Sequence, residues 1–221
     1  MTLILHIPAK SGLVMASDGQ ATTEKGLKMR WKKIRRLNEN CIWGASGVTP
    51  LIERMEECIT AIQDKEKSLQ DLCPDLCKIG PKCVQDLLPP EQTQQTFEPP
   101  EALFAFIEYK DKPRILYVRE NGRMEWRPNI PYAIGSGALF ALGLLRKYQD
   151  LIVEGIDINL AALLAYKIIA ETIEIIEGVG YPIDVWQLPP VKNLPKEELE
   201  GLEETYLGLK KTEIEMFLRG E

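Results

Sequence analysis

Two short apolar runs open the chain, Thr2 to Ile7 (TLILHI) and Gly12 to Ser17 (GLVMAS), separated by Pro8, Ala9, Lys10 and Ser11. Runs of this length bounded by turn-forming residues predict two strands joined by a tight connection. A charged stretch through Lys33 and Arg36 follows, and Cys41 to Ala45 (CIWGA) then predicts a buried strand that ends in small residues and Gly47. From Thr49 the period changes. Leu51, Ile52, Met55, Ile59 and Ile62 recur on one helical face, with Thr49 placed to act as N-cap and Pro50 at the first position. A second helix is predicted over Leu69 to Leu88, bent or interrupted by Pro74, Gly80 and Pro81 because proline removes a backbone donor and clashes with the preceding turn.

The proline-rich stretch from Pro89-Pro90 to Pro99-Pro100 reads as an extended surface loop, since strand character resumes directly after it. Strands are predicted at Leu103 to Tyr109, Arg114 to Arg119, Arg123 to Arg127 and Tyr132 to Ile134, with Asn121-Gly122 as a hairpin turn. Past Gly135-Ser136-Gly137, helical spacing covers Ala138 to Tyr148 and Leu160 to Glu177, the latter apolar around most of its circumference and so buried on both sides. Ile183 to Leu188 returns to a strand, and a charged helix from about Lys196 to Leu218 closes the chain. Strands paired inside and helices paired outside predict two sheets packed face to face between helical layers. This order of elements points to one domain spanning residues 1–221, closed by the helix at about 196–218.

Composition narrows the chemistry. With 221 residues, 45% of them hydrophobic, the chain can bury a substantial core, which excludes a disordered protein. A net charge of -6 argues against a general nucleic-acid binder, whose phosphate contacts need a basic surface. No apolar run approaches a membrane span and the first residues lack a secretory pattern, so a cytoplasmic protein is expected. The five cysteines, Cys41, Cys58, Cys73, Cys77 and Cys83, are an odd number in a chain too large to need a disulfide framework, and reduced thiols are expected. Cys73, Cys77 and Cys83 match no zinc or iron-sulfur spacing, and neither metal nor cofactor is expected. His6 is the only histidine, so multi-histidine metal sites are excluded, and its place in the first strand reads as structural.

A methionine followed by a small residue is commonly excised, which here would expose Thr2 as a free N-terminal threonine. Its α-amino group, with an ordinary pKa of roughly 7.7–8.0, could take the hydroxyl proton itself, so no histidine is needed. A Met-Thr start alone carries no weight, but three further stretches accompany it. These are Ser17 to Thr22 (SDGQAT), Trp31 to Leu37 (WKKIRRL) and Ile42 to Gly47 (IWGASG). Together they resemble the N-terminal third of HslV and, more broadly, proteasome β-subunits, which are N-terminal-nucleophile hydrolases. The resemblance resumes at Tyr132 to Gly137 (YAIGSG) and Ile183-Asp184-Val185, and so covers about two thirds of the chain in framework terms.

The resemblance implies an α+β, four-layer α-β-β-α sandwich and a threonine-type endopeptidase that cleaves unfolded polypeptide inside a homo-oligomeric ring. An AAA+ unfoldase is a partner it allows. Residue by residue, it implies Thr2 as nucleophile, Lys33 as the nearby cation, Asp18 as the carboxylate compensating that cation, Gly44 as oxyanion donor and Ser136 as support for the Thr2 amine. Ala21, Trp31, Ile42 and Ser46 correspond to the family's specificity pocket, which favours apolar or aromatic substrate side chains. Three departures stand out. The Asp and Ser that the family places after its long buried helix are replaced by Ile176 to Tyr181, where Glu177 is the nearest substitute, and Trp43 is bulkier than the usual alanine. The helix at about 196–218 is, by the same resemblance, a C-terminal extension beyond the end of HslV. Two other readings stay open: an amidase or transpeptidase using the same nucleophile, and a noncatalytic ring subunit.

Overall fold

A computed structural model describes residues 2–22, 27–64, 66–87 and 101–219; the expected proline-rich loop lies outside them. The first hairpin forms as predicted, β1 (Leu3–Ala9) against β2 (Gly12–Asp18). The charged stretch, over which no element is predicted, contains β3 (Gln20–Thr22), β4 (Lys28–Arg30) and β5 (Ile34–Arg36). β3 and β4 pair only with each other, and three-residue strands carry too little pattern to be recognised from sequence. Next come β6 (Cys41–Gly47), α1 (Thr49–Ala61) and α2 (Leu69–Leu87), then β7 (Ala102–Tyr109), β8 (Pro113–Arg119), β9 (Met124–Arg127) and β10 (Tyr132–Gly135). The chain continues through α3 (Ala138–Lys147), the short unforeseen α4 (Gln149–Glu154), α5 (Ile158–Ile175), β11 (Ile183–Leu188), β12 (Lys192–Asn193) and α6 (Lys196–Arg219).

Two antiparallel five-stranded sheets result, in the orders β10-β1-β2-β11-β12 and β5-β6-β7-β8-β9. Strand alternation sorts their side chains into three layers of core. Ile4, Leu13, Met15, Ile34, Ile42 and Ile107 fill the space between the sheets. Leu3, Leu5, Val14 and Ala16, on the opposite face of β1 and β2, pack under α3 and α5, with Tyr206 of α6 joining them. Cys41, Trp43 and Ala45 of β6 pack under Leu51, Met55 and Leu76 of α1 and α2. The α-β-β-α sandwich is therefore written into period-two patterning: odd and even positions of one strand serve different cores.

Helix ends follow local chemistry. α5 starts at Ile158, two residues before Leu160, because the Asp157 carboxylate caps it by accepting the N–H groups of Asn159 and Leu160 at 2.8 and 3.0 Å. α1 has Val48 rather than Thr49 as N-cap, so Thr49 is its first helical residue. α2 runs through both Pro74 and Pro81 without interruption, contrary to expectation. Packing supplies the reason at Pro81. The carbonyl four residues earlier, on Cys77, faces Gly122 of the β8–β9 turn, and a Cβ on Gly122 would sit 2.4 Å from that oxygen. A Cβ on Gly80 would meet the Glu120 carbonyl just as closely, so the two glycines let helix and turn come together where Pro81 removes an intrahelical bond.

His6 faces the space between the sheets, its ring centroid 6.2 Å from that of Tyr117 and its Nε2 3.4 Å from the Ile130 carbonyl. Burial pushes its pKa down to about 4, against about 6.5 for the unfolded chain. The unfolded state thus binds a proton between those values while the folded state does not, and stability present above pH 6.5 is lost as pH falls toward 4. That loss should amount to roughly 3 kcal/mol by pH 4. Urea unfolding of His6→Gln across this range should show a flatter pH dependence than the parent; equal slopes would refute it.

Candidate active site

One buried carboxylate gathers the site. Asp18, at the end of β2, is wholly buried, and both its oxygens are saturated. Oδ1 accepts the Leu3 N–H at 2.7 Å and Lys33 Nζ at 2.6 Å, while Oδ2 accepts the N–H groups of Gln20 at 3.2 Å and Gly180 at 3.1 Å. Sharing one oxygen places the Lys33 ammonium within two hydrogen-bond lengths of the Leu3 nitrogen, beside the peptide that leaves Thr2. Lys33 is 3% exposed, and desolvation lowers its pKa while the charge and hydrogen bond of Asp18 work the other way. A buried ammonium paired with a carboxylate can stabilise a developing oxyanion or position a hydroxyl.

The turn after β10 grips the other side of Thr2. The Thr2 nitrogen donates to Ser136 Oγ at 3.1 Å, and the Thr2 carbonyl accepts from Ser136 Oγ and from the Gly137 N–H, each at 3.3 Å. Gly135 makes this fit possible: its φ is +98°, and a Cβ there would lie 2.1 Å from the Thr2 oxygen. Thr2 itself opens onto a cavity of about 300 Å³ bordered by Ser46, Gly47, Arg119, Glu120 and Ser136.

The structure thus brings together Thr2, Asp18, Lys33 and Ser136, with Ser46 at the cavity wall. It does not bring Gly44 there. Gly44 sits within the β6 ladder between Ile34 and Ala105, and a Cβ on it would meet Ile4 Cδ1 at 3.0 Å and the Lys33 carbonyl at 3.2 Å. Its missing side chain serves the close approach of β1 and the Lys33 backbone. Gly47 borders the Thr2 cavity instead, with φ +141°. Ile42 is completely buried between the sheets and does not border the Thr2 cavity, Ala21 is half-buried opposite Met29 in the β3–β4 hairpin, and Trp31 borders a separate cavity with Gly19, Pro182 and Asp184. Trp43 is accommodated because it points to the helical side, where its ring lies 6.1 Å from that of Phe106 and under the Arg35 guanidinium at 5.1 Å.

Glu177 does not stand in for the family's missing carboxylate: it is exposed, and the loop reaches the site through the Gly180 backbone N–H. Sequence reading missed the N–H groups of Leu3 and Gly180, since backbone donors leave no residue signature, and missed Gly47, whose one signal is a glycine closing a buried strand. Among the described residues no group of His, Cys, Asp and Glu could hold a metal ion, and no helix is long and apolar enough to cross a membrane.

Comparison with known proteins agrees with this geometry. No curated protein matches the chain. Residues 2–187 match the Proteasome subunit family, an N-terminal-nucleophile hydrolase family that includes HslV and the proteasome β-subunits, and that span takes in every element from β1 to the end of β11 but its last residue. A buried Lys–Asp pair beside Thr2, two face-to-face sheets between helical layers and a match over most of the sequence place the chain in the Proteasome subunit family.

Proposed function

We propose that the chain is a threonine-type peptidase subunit that cleaves unfolded polypeptide, with Thr2 as an N-terminal nucleophile uncovered by removal of Met1. The observation that carries this reading is the Asp18 oxygen shared by Lys33 and the Leu3 N–H, one residue from Thr2. Freed of Met1, the Thr2 nitrogen becomes an amine with an ordinary pKa of roughly 7.7–8.0, neutral in part near pH 7. It takes the proton of the Thr2 hydroxyl, and Oγ1 attacks the substrate carbonyl. Lys33 stabilises the charge that develops on oxygen, in a site where little water screens it. The amine then returns the proton to the leaving nitrogen, and water hydrolyses the acyl-enzyme.

Ser136 Oγ holds the Thr2 nitrogen in place. We assign the oxyanion position to Gly47, at the cavity wall, rather than to Gly44, whose place in the ladder keeps it from the reacting atoms. Specificity belongs to the residues that border the Thr2 cavity, Ser46 and Arg119 among them, more than to Ile42 or Trp31. Rings of the kind its family forms would enclose this cavity, and the five free thiols fit a reducing, cytoplasmic setting.

Two measurements test the proposal. The intact mass of the cellular protein should lack Met1, and hydrolysis of a fluorogenic peptide should fall by at least about 10³-fold in Thr2→Ala and Lys33→Ala. Retained Met1, or unchanged turnover in either variant, would refute it. Separately, Asp18→Asn removes the charge that compensates Lys33 and should lower stability by about 3–5 kcal/mol. Ser136→Ala, at an exposed rim, should cost less than about 1 kcal/mol yet slow hydrolysis. Urea midpoints and turnover measured together on both variants separate a structural from a positioning role.

A further inference from the structure

The helical layer over β6 carries thiols that the threonine chemistry does not use. All five cysteines are free. Cys41 is buried in β6, Cys58 lies on α1, and Cys73, Cys77 and Cys83 lie on α2. Two of them meet across the helix interface: Cys83 Sγ lies 3.6 Å from Cys58 Sγ, although 25 residues separate them in the chain. Cys83 is fully buried, whereas Cys58 is partly open to solvent. On α2 the Cys73 thiol lies 3.0 Å from Met124 Sδ and also interacts with the Cys77 thiol one turn along the same helix.

We propose that Cys58 and Cys83 form a reversible dithiol–disulfide site that takes a low-molecular-weight disulfide, such as oxidised glutathione, as its co-reactant. Cys58 starts the exchange because it is the solvent-accessible member of the pair. Its thiolate, having lost a proton to water, attacks one sulfur of the small disulfide. That S–S bond breaks, a mixed disulfide forms on Cys58, and one small thiolate leaves and takes up a proton.

Cys83 then loses its proton and attacks the Cys58 sulfur, releasing the second small thiol and closing the bond between α1 and α2. Two protein thiols are oxidised and one small disulfide is reduced to two thiols. Burial pushes the Cys83 thiol up to about 12, so it does not initiate exchange; it acts as the resolving partner, already in contact. Closure needs the sulfurs to move from 3.6 Å to about 2.05 Å, a displacement that side-chain rotation and a small helix shift can supply. The bond would tie α1, which begins two residues after Gly47 at the Thr2 cavity, to the helix packed beside it.

The test uses the full chain, reduced and then equilibrated with excess oxidised glutathione. After unfolding in N-ethylmaleimide, the reduced protein should label at all five cysteines and the oxidised protein at Cys41, Cys73 and Cys77 only, with peptide mapping recovering a Cys58–Cys83 link. Closing this loop should raise the melting temperature by roughly 5–10 °C, reversed by dithiothreitol. Cys58→Ser should abolish both the link and the shift, while the double variant Cys73→Ser/Cys77→Ser keeps both. Labelling at all five sites after oxidation, a glutathione adduct that persists on Cys58, a link between other cysteines, or a melting shift retained in Cys58→Ser would each overturn the proposal.

Discussion

The site depends on the need to satisfy one buried carboxylate. Asp18 has no contact with solvent, and an ionised carboxyl in that position is tolerated only if its oxygens are fully occupied by donors. Four donors meet that need, and they come from four places in the chain: the start of β1, the residue two beyond Asp18 itself, the segment entering β5 and the loop leading into β11. Satisfying a single charge therefore fixes where Thr2, Lys33 and Gly180 lie relative to one another. The polar cluster is a consequence of folding and also a restraint on it, because displacing any one segment would leave a charge or a backbone donor unpaired in the interior.

The sheets supply the frame for that restraint through strand alternation. In β1, odd positions Leu3 and Leu5 face α3 and α5 while even positions Ile4 and His6 face the opposite sheet, so the strand is anchored on both sides before it reaches Thr2. In β6 the same alternation sends Trp43 toward the helices and leaves Ile42, Gly44 and Ser46 on the inner face. Those three inner residues differ in fate because of height along the strand. Ile42 lies deep in the core, Gly44 lets Ile4 and the Lys33 backbone approach, and Ser46 emerges at the cavity beside Thr2.

Much of this was legible in the sequence. The strands of β1, β2, β6, β7 and β8 and the long helices carry periodicity over seven residues or more, which survives any plausible tertiary context. The roles of Asp18 and Lys33 were legible through their spacing to recognised neighbours. What was not legible depends on distance in the chain. The Thr2–Ser136 and Gly180–Asp18 hydrogen bonds join residues 134 and 162 positions apart, and backbone donors such as Gly180 N–H have no side chain to announce them. The resemblance implies Gly44 as the oxyanion donor, yet a glycine in a strand equally suits close packing. Only the register, Ile34 against Gly44 against Ala105, distinguishes the two, and register is a property of the assembled sheet.

The Lys33–Asp18 pair also bears on why the chain retains so expensive an interior. A buried ion pair can often be exchanged for well-packed apolar residues at no loss of stability, since desolvation offsets most of the attraction between its charges. A scaffold subunit would need only the sandwich, and the three apolar cores already hold its sheets and helices together. Retaining a desolvated ammonium at the first strand, with the adjacent threonine clamped by Ser136 and Gly137 and opening on a cavity, serves no packing purpose that an aliphatic side chain could not fill. It would serve the proposed chemistry, in which a hydroxyl must give up its proton and an oxygen must carry negative charge away from water. The proposed acyl-transfer role gives the pair a chemical reason to persist, and the loop in which the family's usual Asp and Ser are replaced reaches Asp18 through the Gly180 N–H.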